Sequence, residues 1–224
     1  MDEKRKELII LIVLTFVLVN LVFLFSYKYV LYSKSFHVEE FEKNGVYSKF
    51  NQTSVDDEHD NIMEYLLTGR TSVISERLSE QDKLHLKDVK QLMKNVDYYS
   101  YVTVGFIFLL FWFLHFRHKK LIDKLFSKAI FITGIVNVVL LFILYLLSRN
   151  FNLFFIKFHE ITFNNDLWMM NPNVDLLVQL YPQQFWIDAF SKIMFMSMTI
   201  SVMFIVIGGL GWYFINKKMK KLPE

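Results

Sequence analysis

The sequence contains no cysteine among its 224 residues. Disulfide bonds, thiolate nucleophiles, Cys-ligated zinc and iron–sulfur centres are therefore excluded. Three further signatures are missing: the H-E-x-x-H zinc helix, the G-x-S-x-G nucleophile turn and the glycine-rich phosphate loop. The net charge of +3 comes from basic residues beside apolar runs, not from a groove-sized basic patch, so we expect no nucleic-acid partner.

Long apolar runs make up much of what the sequence does contain. Hydrophobic residues form 54% of the chain and aromatic residues 17%, and the mean hydropathy is +0.30. This is the composition of a membrane protein. A helix needs about 20 apolar residues to cross a hydrocarbon core of ~30 Å. Four stretches meet this requirement, and they predict transmembrane helices at about 8–32, 98–116, 125–147 and 192–215.

The first apolar run is expected to stay in the protein rather than to be cleaved as a signal peptide. It is longer than a signal-peptide core, and no A-x-A-like cleavage site follows it. Tyr27, Tyr29 and Tyr32 follow instead, as in an interfacial aromatic belt. Asn20, inside this run, is expected to hydrogen-bond to another helix rather than to act chemically.

Basic clusters flank the predicted helices at three places, which are Lys4–Lys6, Arg117–Lys120 and Lys217–Lys221. The positive-inside rule places all three clusters, and hence both termini, in the cytoplasm. The chain then forms one membrane domain over 1–224, with an extracytoplasmic cap at 33–97 and an extracytoplasmic motif loop at 149–191. The predicted fold class is an all-α membrane protein with four transmembrane helices and a small, mostly helical cap.

Local signals divide the cap into helices. Gly69 is expected to end one helix, and Ser79 with Asp82 has the spacing of a capping box that begins the next. That next helix is expected to run directly into the second transmembrane run. We expect His37 and His59, both within the cap, to lie at its surface.

His85 and Asp88 are three residues apart on this predicted helix and therefore share a face. Such a pair can orient an imidazole as a general base. The alternative is a solvated helix face that has no chemical role. Leu84 and Leu86 flank the histidine, however, and they are unusual neighbours on a fully solvated face.

The motif loop carries a second histidine among apolar residues. His159 lies in Phe158–Glu160, where an imidazole can be a base, a metal ligand or a buried hydrogen-bonding group. After it come amide and indole donors that could stabilise an oxyanion, or could instead form an ordinary turn with a helix cap. These residues are Asn164, Asn165, Asp166 and Trp168. Asn171-Pro172 is expected to begin a short helix, with proline in its first turn.

A metal site is only weakly indicated. Several side chains are of types that bind zinc, but no spacing typical of a zinc site connects them. These side chains are His85, Asp88, His159 and Glu160. We expect neither a metal nor a cofactor.

Two longer motifs go beyond these general patterns. The first is LHLKDVK at 84–90, preceded by LSEQ at 78–81. The second begins with FHEITFNNDLW at 158–168 and continues with Asn171-Pro172, Asp175–Leu177 and YPQQFW at 181–186. Together with four spans in this order, these motifs resemble the lipoprotein intramolecular transacylase (Lit) family over nearly the whole chain. This sequence has Asn171 where the family commonly has an aspartate.

The resemblance implies an acyl transfer on bacterial lipoproteins whose N-terminal cysteine carries an S-diacylglyceryl group. Members of the family move an acyl chain from the glycerol sn-2 oxygen to the α-amino group of the same cysteine, which gives the lyso-form lipoprotein. The implied partners are the diacylated lipoprotein and membrane lipid. The implied location is the bacterial cytoplasmic membrane, with the active site facing the extracytoplasmic side.

The resemblance also assigns roles to the candidate residues. His85 and His159 would carry the proton transfers, with Asp88 orienting His85, and the two histidines should then lie close together. No protein nucleophile is needed, which agrees with a chain that has no cysteine. The supporting candidates, for polarising the ester carbonyl, are Asn164, Asn165, Asp166 and Trp168.

Two other functions remain open at this point. One is a membrane-embedded hydrolase or protease, with zinc as its cofactor in one version. The other is a non-enzymatic sensor or assembly subunit that uses the cap as its binding surface. A transporter is less favoured, because no charged residue lies mid-span and four spans without an evident repeat do not suit one.

Overall fold

The computed structural model describes residues 2–117 and 119–219. All regular structure in these two ranges is helical, so the predicted all-α class is confirmed. The α-helices are α1 (Glu3–Leu31), α2 (Lys34–Lys43), α3 (Val46–Lys49), α4 (Gln52–Thr68), α5 (Glu80–Arg117), α6 (Lys119–Leu147), α7 (Phe151–Thr162), α8 (Leu176–Leu180) and α9 (Gln183–Met219). A 3₁₀ turn at Thr71–Val73 separates α4 from α5.

Four of these helices are long and apolar enough to cross a membrane. They are α1 and the stretches Glu80–Phe116 of α5, Asp123–Leu147 of α6 and Gln183–Lys218 of α9. The prediction of four transmembrane helices is therefore confirmed. Parts of two basic clusters, His118 and Lys220–Lys221, lie outside the described residues.

The chain divides into two compact units. The spanning unit takes in the described parts of 1–29, 99–146 and 192–224, and the motif unit consists of Val30–Tyr98 and Leu147–Ser191. The sequences predicted as cap and motif loop thus fall in one unit. Helices α5 and α9 contribute to both units, because each continues from its charged or polar beginning into an apolar span.

The spanning unit has a core of leucines and alanine. Leu11, Leu14 and Leu18 of α1 pack with Leu114 of α5 and Ala129 of α6. A hydrogen bond joins α1 to α5 within this unit: the hydroxyl of Tyr99 donates to Oδ1 of Asn20 at 2.9 Å. The expectation that Asn20 bonds to another helix is confirmed.

Two glycines let α6 and α9 approach each other closely. A Cβ atom on Gly134 would lie 2.6 Å from the carbonyl oxygen of Ser201, and one on Gly208 would lie 2.9 Å from Cα of Phe131. Both distances are too short for real atoms. Close backbone approach at small residues is a common way of packing helices in membranes, where burial from water contributes little.

The helix ends of the motif unit follow from capping. Gly69 ends α4 in the left-handed conformation, with φ of 77°, as predicted. Ser79 and Asp82 form the predicted capping box at the start of α5, since each backbone N–H donates to the other's side chain at 3.0 Å. The expectation that this helix continues into a span is also confirmed.

The motif unit has a core that contains two histidines. His37 of α2 is 5% exposed and His59 of α4 is 3% exposed, so the prediction that they lie at the surface is wrong. Their rings are 4.6 Å apart, and Phe41 and Phe185 pack against them. Burial lowers the pKa of each histidine to about 4, so both are neutral near pH 7.

The glycine contacts predict a selective effect of added methyl groups. Gly134→Ala and Gly208→Ala should each destabilise the protein by about 1–3 kcal/mol, because the backbones of α6 and α9 must separate. Gly105→Ala on α5 is the control, because a Cβ there meets nothing within 4 Å. Thermal unfolding in detergent micelles would measure this. A Tm for Gly208→Ala equal to that of Gly105→Ala would contradict the packing.

The buried histidines predict a loss of stability in acid. Their pKa of about 4 in the folded protein is below the ordinary 6.5, so the unfolded chain binds more protons between these values. Above pH 6.5 these histidines leave the free energy of unfolding unchanged. It decreases as the pH falls from 6.5 towards 4. The Tm of wild type should therefore fall more steeply over this range than that of His59→Asn, which cannot titrate. Parallel slopes would contradict the burial of a neutral His59.

Candidate active site

The carboxylate of Asp82 connects the start of α5 to α8. Asp82 is fully buried, and it accepts hydrogen bonds from the backbone N–H groups of Leu176 at 3.1 Å and Leu177 at 3.4 Å. These N–H groups belong to the first turn of α8 and have no partner within that helix. Asp175, at the N-cap position, makes no side-chain cap bond, so Asp82 supplies the cap from another part of the chain.

Asp175 instead holds the turn that leads into α8. Its Oδ1 accepts from the hydroxyl of Ser79 at 2.8 Å, and its Oδ2 accepts from the backbone N–H of Asn171 at 2.7 Å. The segment 171–175 is therefore a turn, and the helix begins only at Leu176. The prediction that Asn171-Pro172 begins this helix is wrong, because the bond from Asn171 to the buried carboxylate of Asp175 holds this segment as a turn.

Two more residues of α5 hold the segment before this turn. Nε2 of Gln81 donates to the carbonyl oxygens of Leu167 at 3.1 Å and Met169 at 3.0 Å. One turn beyond His85, Oδ2 of Asp88 accepts from Nδ2 of Asn165 at 2.9 Å. The first three turns of α5 therefore bind much of the chain between α7 and α8. The two sequence motifs are therefore in direct contact in the fold.

The structure brings His85 and His159 together. Their ring centroids are 6.1 Å apart, which lets one small substrate group contact both. Each residue is 7% exposed. Phe163, which ends α7, packs against both rings at 5.3 Å and 5.7 Å and keeps them at this spacing. The expected proximity of the two histidines is confirmed.

The surroundings of His159 determine its tautomer. Its Nδ1 is 2.7 Å from the carbonyl oxygen of Phe155, which can only accept, so Nδ1 carries the proton. In the neutral ring, Nε2 then holds the free electron pair. Burial lowers the pKa of His159, and the bond to Phe155 opposes this effect in part. The rings of Phe155 and Trp168 lie 4.2 Å and 5.0 Å away and shield the imidazole from water.

The environment of His85 differs, because its buried Nδ1 has no hydrogen-bond partner among the residues that the structure describes. Asp88, the expected orienting partner, does not bond to this Nδ1, and its Oδ2 instead accepts from Asn165. An imidazole in such a position is held by packing rather than by a carboxylate. Burial without a partner also disfavours the charged form of the ring.

Both histidines line a cavity of about 330 Å³. Its walls come from α5, α7, α8 and the start of α9, and no charged side chain is among the lining residues. The apolar lining consists of Phe155, Ile156, Trp168, Met169, Met170, Leu177, Val178 and Trp186, and the other polar residues are Asn152, Tyr181 and Gln183. An uncharged, mostly apolar cavity with two neutral imidazoles suits a lipid-like ester better than a charged ligand.

The other predicted site residues are placed less directly. Trp168 lines the cavity, but its indole N–H donates to the carbonyl oxygen of Asn165 at 2.9 Å. The side chain of Asn165 donates a hydrogen bond to Asp88, and Asn164 and Asp166 are exposed on the same turn. None of these three, nor Asp88, lines the cavity. They shape the turn that carries Trp168 to His159.

Asn152, Tyr181 and Gln183 were not predicted as site residues. Asn152 is seven residues before His159, and Phe155 is four before it, so all three share a face of α7. Helical periodicity within 149–191 could have indicated this. Tyr181 and Gln183 flank Pro182, where α8 ends and α9 begins. Among the described residues, no three His, Asp or Glu side chains gather as metal ligands would.

Comparison with known protein families identifies the chain. The model of the lipoprotein intramolecular transacylase family, Lit, matches residues 8–186, which is most of the chain. The chain belongs to the lipoprotein intramolecular transacylase family. It is therefore a membrane-integral acyltransferase of lipoprotein modification, as the two motifs indicated. Among curated proteins, the comparison finds no match.

Solved structures of a Lit protein share this fold. The chain is similar to the lipoprotein intramolecular transacylase Lit from Bacillus cereus, at 18% sequence identity and a TM-score of 0.81, over 98% of this chain and 100% of that one. Two further structures of the Bacillus cereus protein, in which a histidine is replaced by arginine or by alanine, match at 20% identity and a TM-score of 0.76. They cover 98% of this chain, and 96% and 98% of theirs.

The buried carboxylate predicts how the site depends on α5. Asp82→Asn keeps the side chain's shape but turns an amide N–H towards backbone N–H groups. We expect a loss of about 1.5–3 kcal/mol in stability, typical of a hydrogen bond to a charged group. The segment 164–175 should also become more sensitive to protease.

Glu80→Gln is the matched control for this change. Glu80 is in the same turn of α5, but its side chain is 85% exposed and forms a surface ion pair with Lys83. Its loss should change neither the Tm nor the protease pattern. Equal behaviour of the two variants, measured by thermal unfolding and limited proteolysis in micelles, would show that Asp82 does not organise the site.

Proposed function

We propose that this chain moves the sn-2 O-acyl group of an S-diacylglyceryl-cysteine to the α-amino group of the same cysteine. The substrate is a diacylated bacterial lipoprotein and the product is its lyso form. The observation that supports this proposal most directly is the pair of buried imidazoles facing one uncharged cavity in a member of the Lit family. Two proton-transfer groups and an apolar enclosure are what this reaction requires.

The reaction balances without any protein nucleophile. The amine nitrogen attacks the ester carbonyl, a C–N bond forms, and the carbonyl oxygen becomes an oxyanion. The intermediate then collapses as the C–O bond to glycerol breaks. The proton lost by the amine ends on the glycerol oxygen. Because both reacting groups belong to one molecule, holding them in contact exploits a high effective molarity.

His159 is the better placed of the two histidines to take the amine proton. Its Nδ1–H is committed to the carbonyl of Phe155, which leaves Nε2 as the basic nitrogen. Burial lowers the pKa of His159, so the ring is neutral and ready to accept a proton at neutral pH. Aromatic rings exclude water from around it, which directs the proton to the substrate.

His85 is suited to the complementary role of donor. A buried nitrogen without an acceptor is more readily the unprotonated one, because orphaned N–H groups are the rarer case. The proton of His85 then resides on Nε2. From this position the ring can donate to the ester oxygen on which negative charge develops, and one such donor contributes roughly 10²–10³-fold to the rate.

Apolar surfaces of the motif unit suit the lipid part of the substrate. The cavity walls are mostly apolar, and α7 presents further apolar side chains outward. Leu153, Phe158 and Ile161 are 52%, 47% and 84% exposed. Such a face is stable when it contacts membrane lipid. We place the termini on the cytoplasmic side of the bacterial cytoplasmic membrane, because the three basic clusters flank the spans on that side. The motif unit then faces the extracytoplasmic side.

The mass of the product tests this function. Expressed in a bacterium that lacks lipoprotein N-acylation, the wild type should convert diacylated lipoproteins to lyso forms of unchanged total acyl mass. Tandem mass spectrometry of the N-terminal lipopeptide should find one chain moved from glycerol to nitrogen. An external acyl donor would add a chain, and a hydrolase would remove one.

Histidine variants test the site in the same assay. His85→Ala and His159→Ala should each lower the rate by about 10²–10⁴-fold, which is the range for a general acid or base. His115→Ala is the control, because this histidine is exposed in the spanning unit. If both cavity variants still form the N-acylated isomer at the wild-type rate, the histidine assignment is wrong. If the wild type forms none, the transacylase proposal itself is wrong.

A further inference from the structure

We propose that Tyr181 and His59 form a positioning pair for this reaction, in which His59 holds Tyr181 as a fixed wall that aligns the substrate ester with the two catalytic histidines. The inference rests on the proposed function. It assigns a role to a buried polar pair that takes no part in the proton transfers.

The pair connects the cavity to a distant part of the sequence. Tyr181 lines the cavity and is 9% exposed. Its hydroxyl lies 2.7 Å from Nδ1 of His59, which is 122 positions earlier in the chain, on α4. Both groups are buried, so water does not compete for this hydrogen bond. The bond therefore ties a wall of the cavity to a helix that does not itself reach the cavity.

Packing around the pair leaves Tyr181 little freedom to move. Phe41, which is fully buried, lies 5.2 Å from the ring of His59 and 5.7 Å from that of Tyr181. Phe185 packs edge-on against Tyr181 at 5.2 Å. The ring of His59 also packs against that of His37, with 4.6 Å between the ring centroids. The rings prevent sideways movement, and the hydrogen bond prevents the tyrosine from sliding along its own axis.

Stability alone does not account for this arrangement. The surrounding core is aromatic, and apolar residues of similar size at both positions would fill it without any polar group to satisfy. A buried hydrogen bond of this kind selects one orientation of its partners over near alternatives. The group whose orientation is selected here is the one that faces the cavity.

The position of Tyr181 bears directly on alignment of the substrate. Tyr181 closes α8, which Asp82 anchors to the helix that carries His85. Its other neighbours, Val178 and Trp186, also line the cavity. An intramolecular acyl transfer is fast only when amine and carbonyl are held near their attack geometry, and a displacement of about 1 Å can cost 10²-fold. A loosened tyrosine should therefore slow the reaction while leaving the histidines intact.

The protonation states keep the bond intact at neutral pH. Burial lowers the pKa of His59 to about 4 and raises the pKa of Tyr181 above its ordinary value. Both partners are then neutral at pH 7. Either ring tautomer of His59 can form the bond, since the hydroxyl can donate or accept.

Two substitutions of His59 separate the hydrogen bond from mere burial. His59→Asn places an amide atom where Nδ1 was, and His59→Gln places it where Nε2 was. We expect His59→Asn to keep kcat within about threefold of wild type. His59→Gln and Tyr181→Phe should lower kcat by roughly tenfold to a hundredfold, with KM nearly unchanged, because alignment is lost rather than binding. The double variant His59→Gln/Tyr181→Phe should be no slower than the slower of these two single variants.

Val46→Ala is the structural control. Val46 lies on α3 and is 1% exposed, so its truncation weakens the core of the motif unit without changing either partner of the hydrogen bond. It should lower the Tm and leave kcat, per amount of folded protein, within about threefold of wild type. The rates come from the mass-spectrometric assay on purified protein and a synthetic diacylglyceryl lipopeptide.

Several outcomes would overturn the inference. It fails if His59→Asn is as slow as His59→Gln, if the losses of Tyr181→Phe and His59→Gln multiply, or if Val46→Ala lowers kcat equally. Should both His59 variants fail to fold, Tyr181→Phe decides, because wild-type kcat in that variant refutes the role. Wild type and His85→Ala are run alongside. An active wild type with an inactive His85→Ala keeps the proposed function even when the positioning pair fails, whereas an inactive wild type removes both.

Discussion

The fully buried carboxylate of Asp82 is the contact on which the site depends. It caps its own helix through Ser79 and caps α8 through two backbone N–H groups, so one side chain fixes two helix starts. His85 follows one turn later on α5, and the cavity wall formed by α8 is thereby held at a set distance from it. A buried carboxylate is costly unless its oxygens are fully paired, and this arrangement pairs them with N–H groups that would otherwise be unsatisfied.

Two buried histidine pairs serve different purposes in this account. His85 and His159 face a cavity and have nitrogens free for a substrate, whereas His37 and His59 are enclosed by phenylalanines. Both pairs are kept neutral by burial. In the proposed reaction the first pair exchanges protons with the substrate, and in the inferred positioning role the second pair, through Tyr181, gives the cavity a fixed wall. Neutral imidazoles in apolar surroundings suit a reaction in which a neutral amine attacks an ester and the products are an amide and an alcohol.

Local patterns in the sequence predicted the parts of the structure that local physics determines. Apolar run length indicated the four long helices, and Gly69 and the Ser79–Asp82 box marked helix ends correctly. Long-range contacts were not predictable in this way. His59 was expected at the surface of the cap, but it is buried, and its partner Tyr181 is 122 positions away. Asn171-Pro172 has the sequence of a helix start, but Asp175 holds it as a turn. Asp175 is itself held by Ser79, which lies just before α5 and 96 positions earlier in the chain.

The central claim is that the substrate ester lies between His85 and His159 in the cavity of the motif unit. An experimental structure of this protein with a diacylglyceryl-cysteine peptide, whose sn-2 ester is replaced by a non-transferable ether, tests it most directly. The account predicts the sn-2 position and the α-amine within hydrogen-bond reach of the two imidazoles, with Tyr181 against the glycerol. An analogue bound with its amine and sn-2 position in contact with neither imidazole would contradict it.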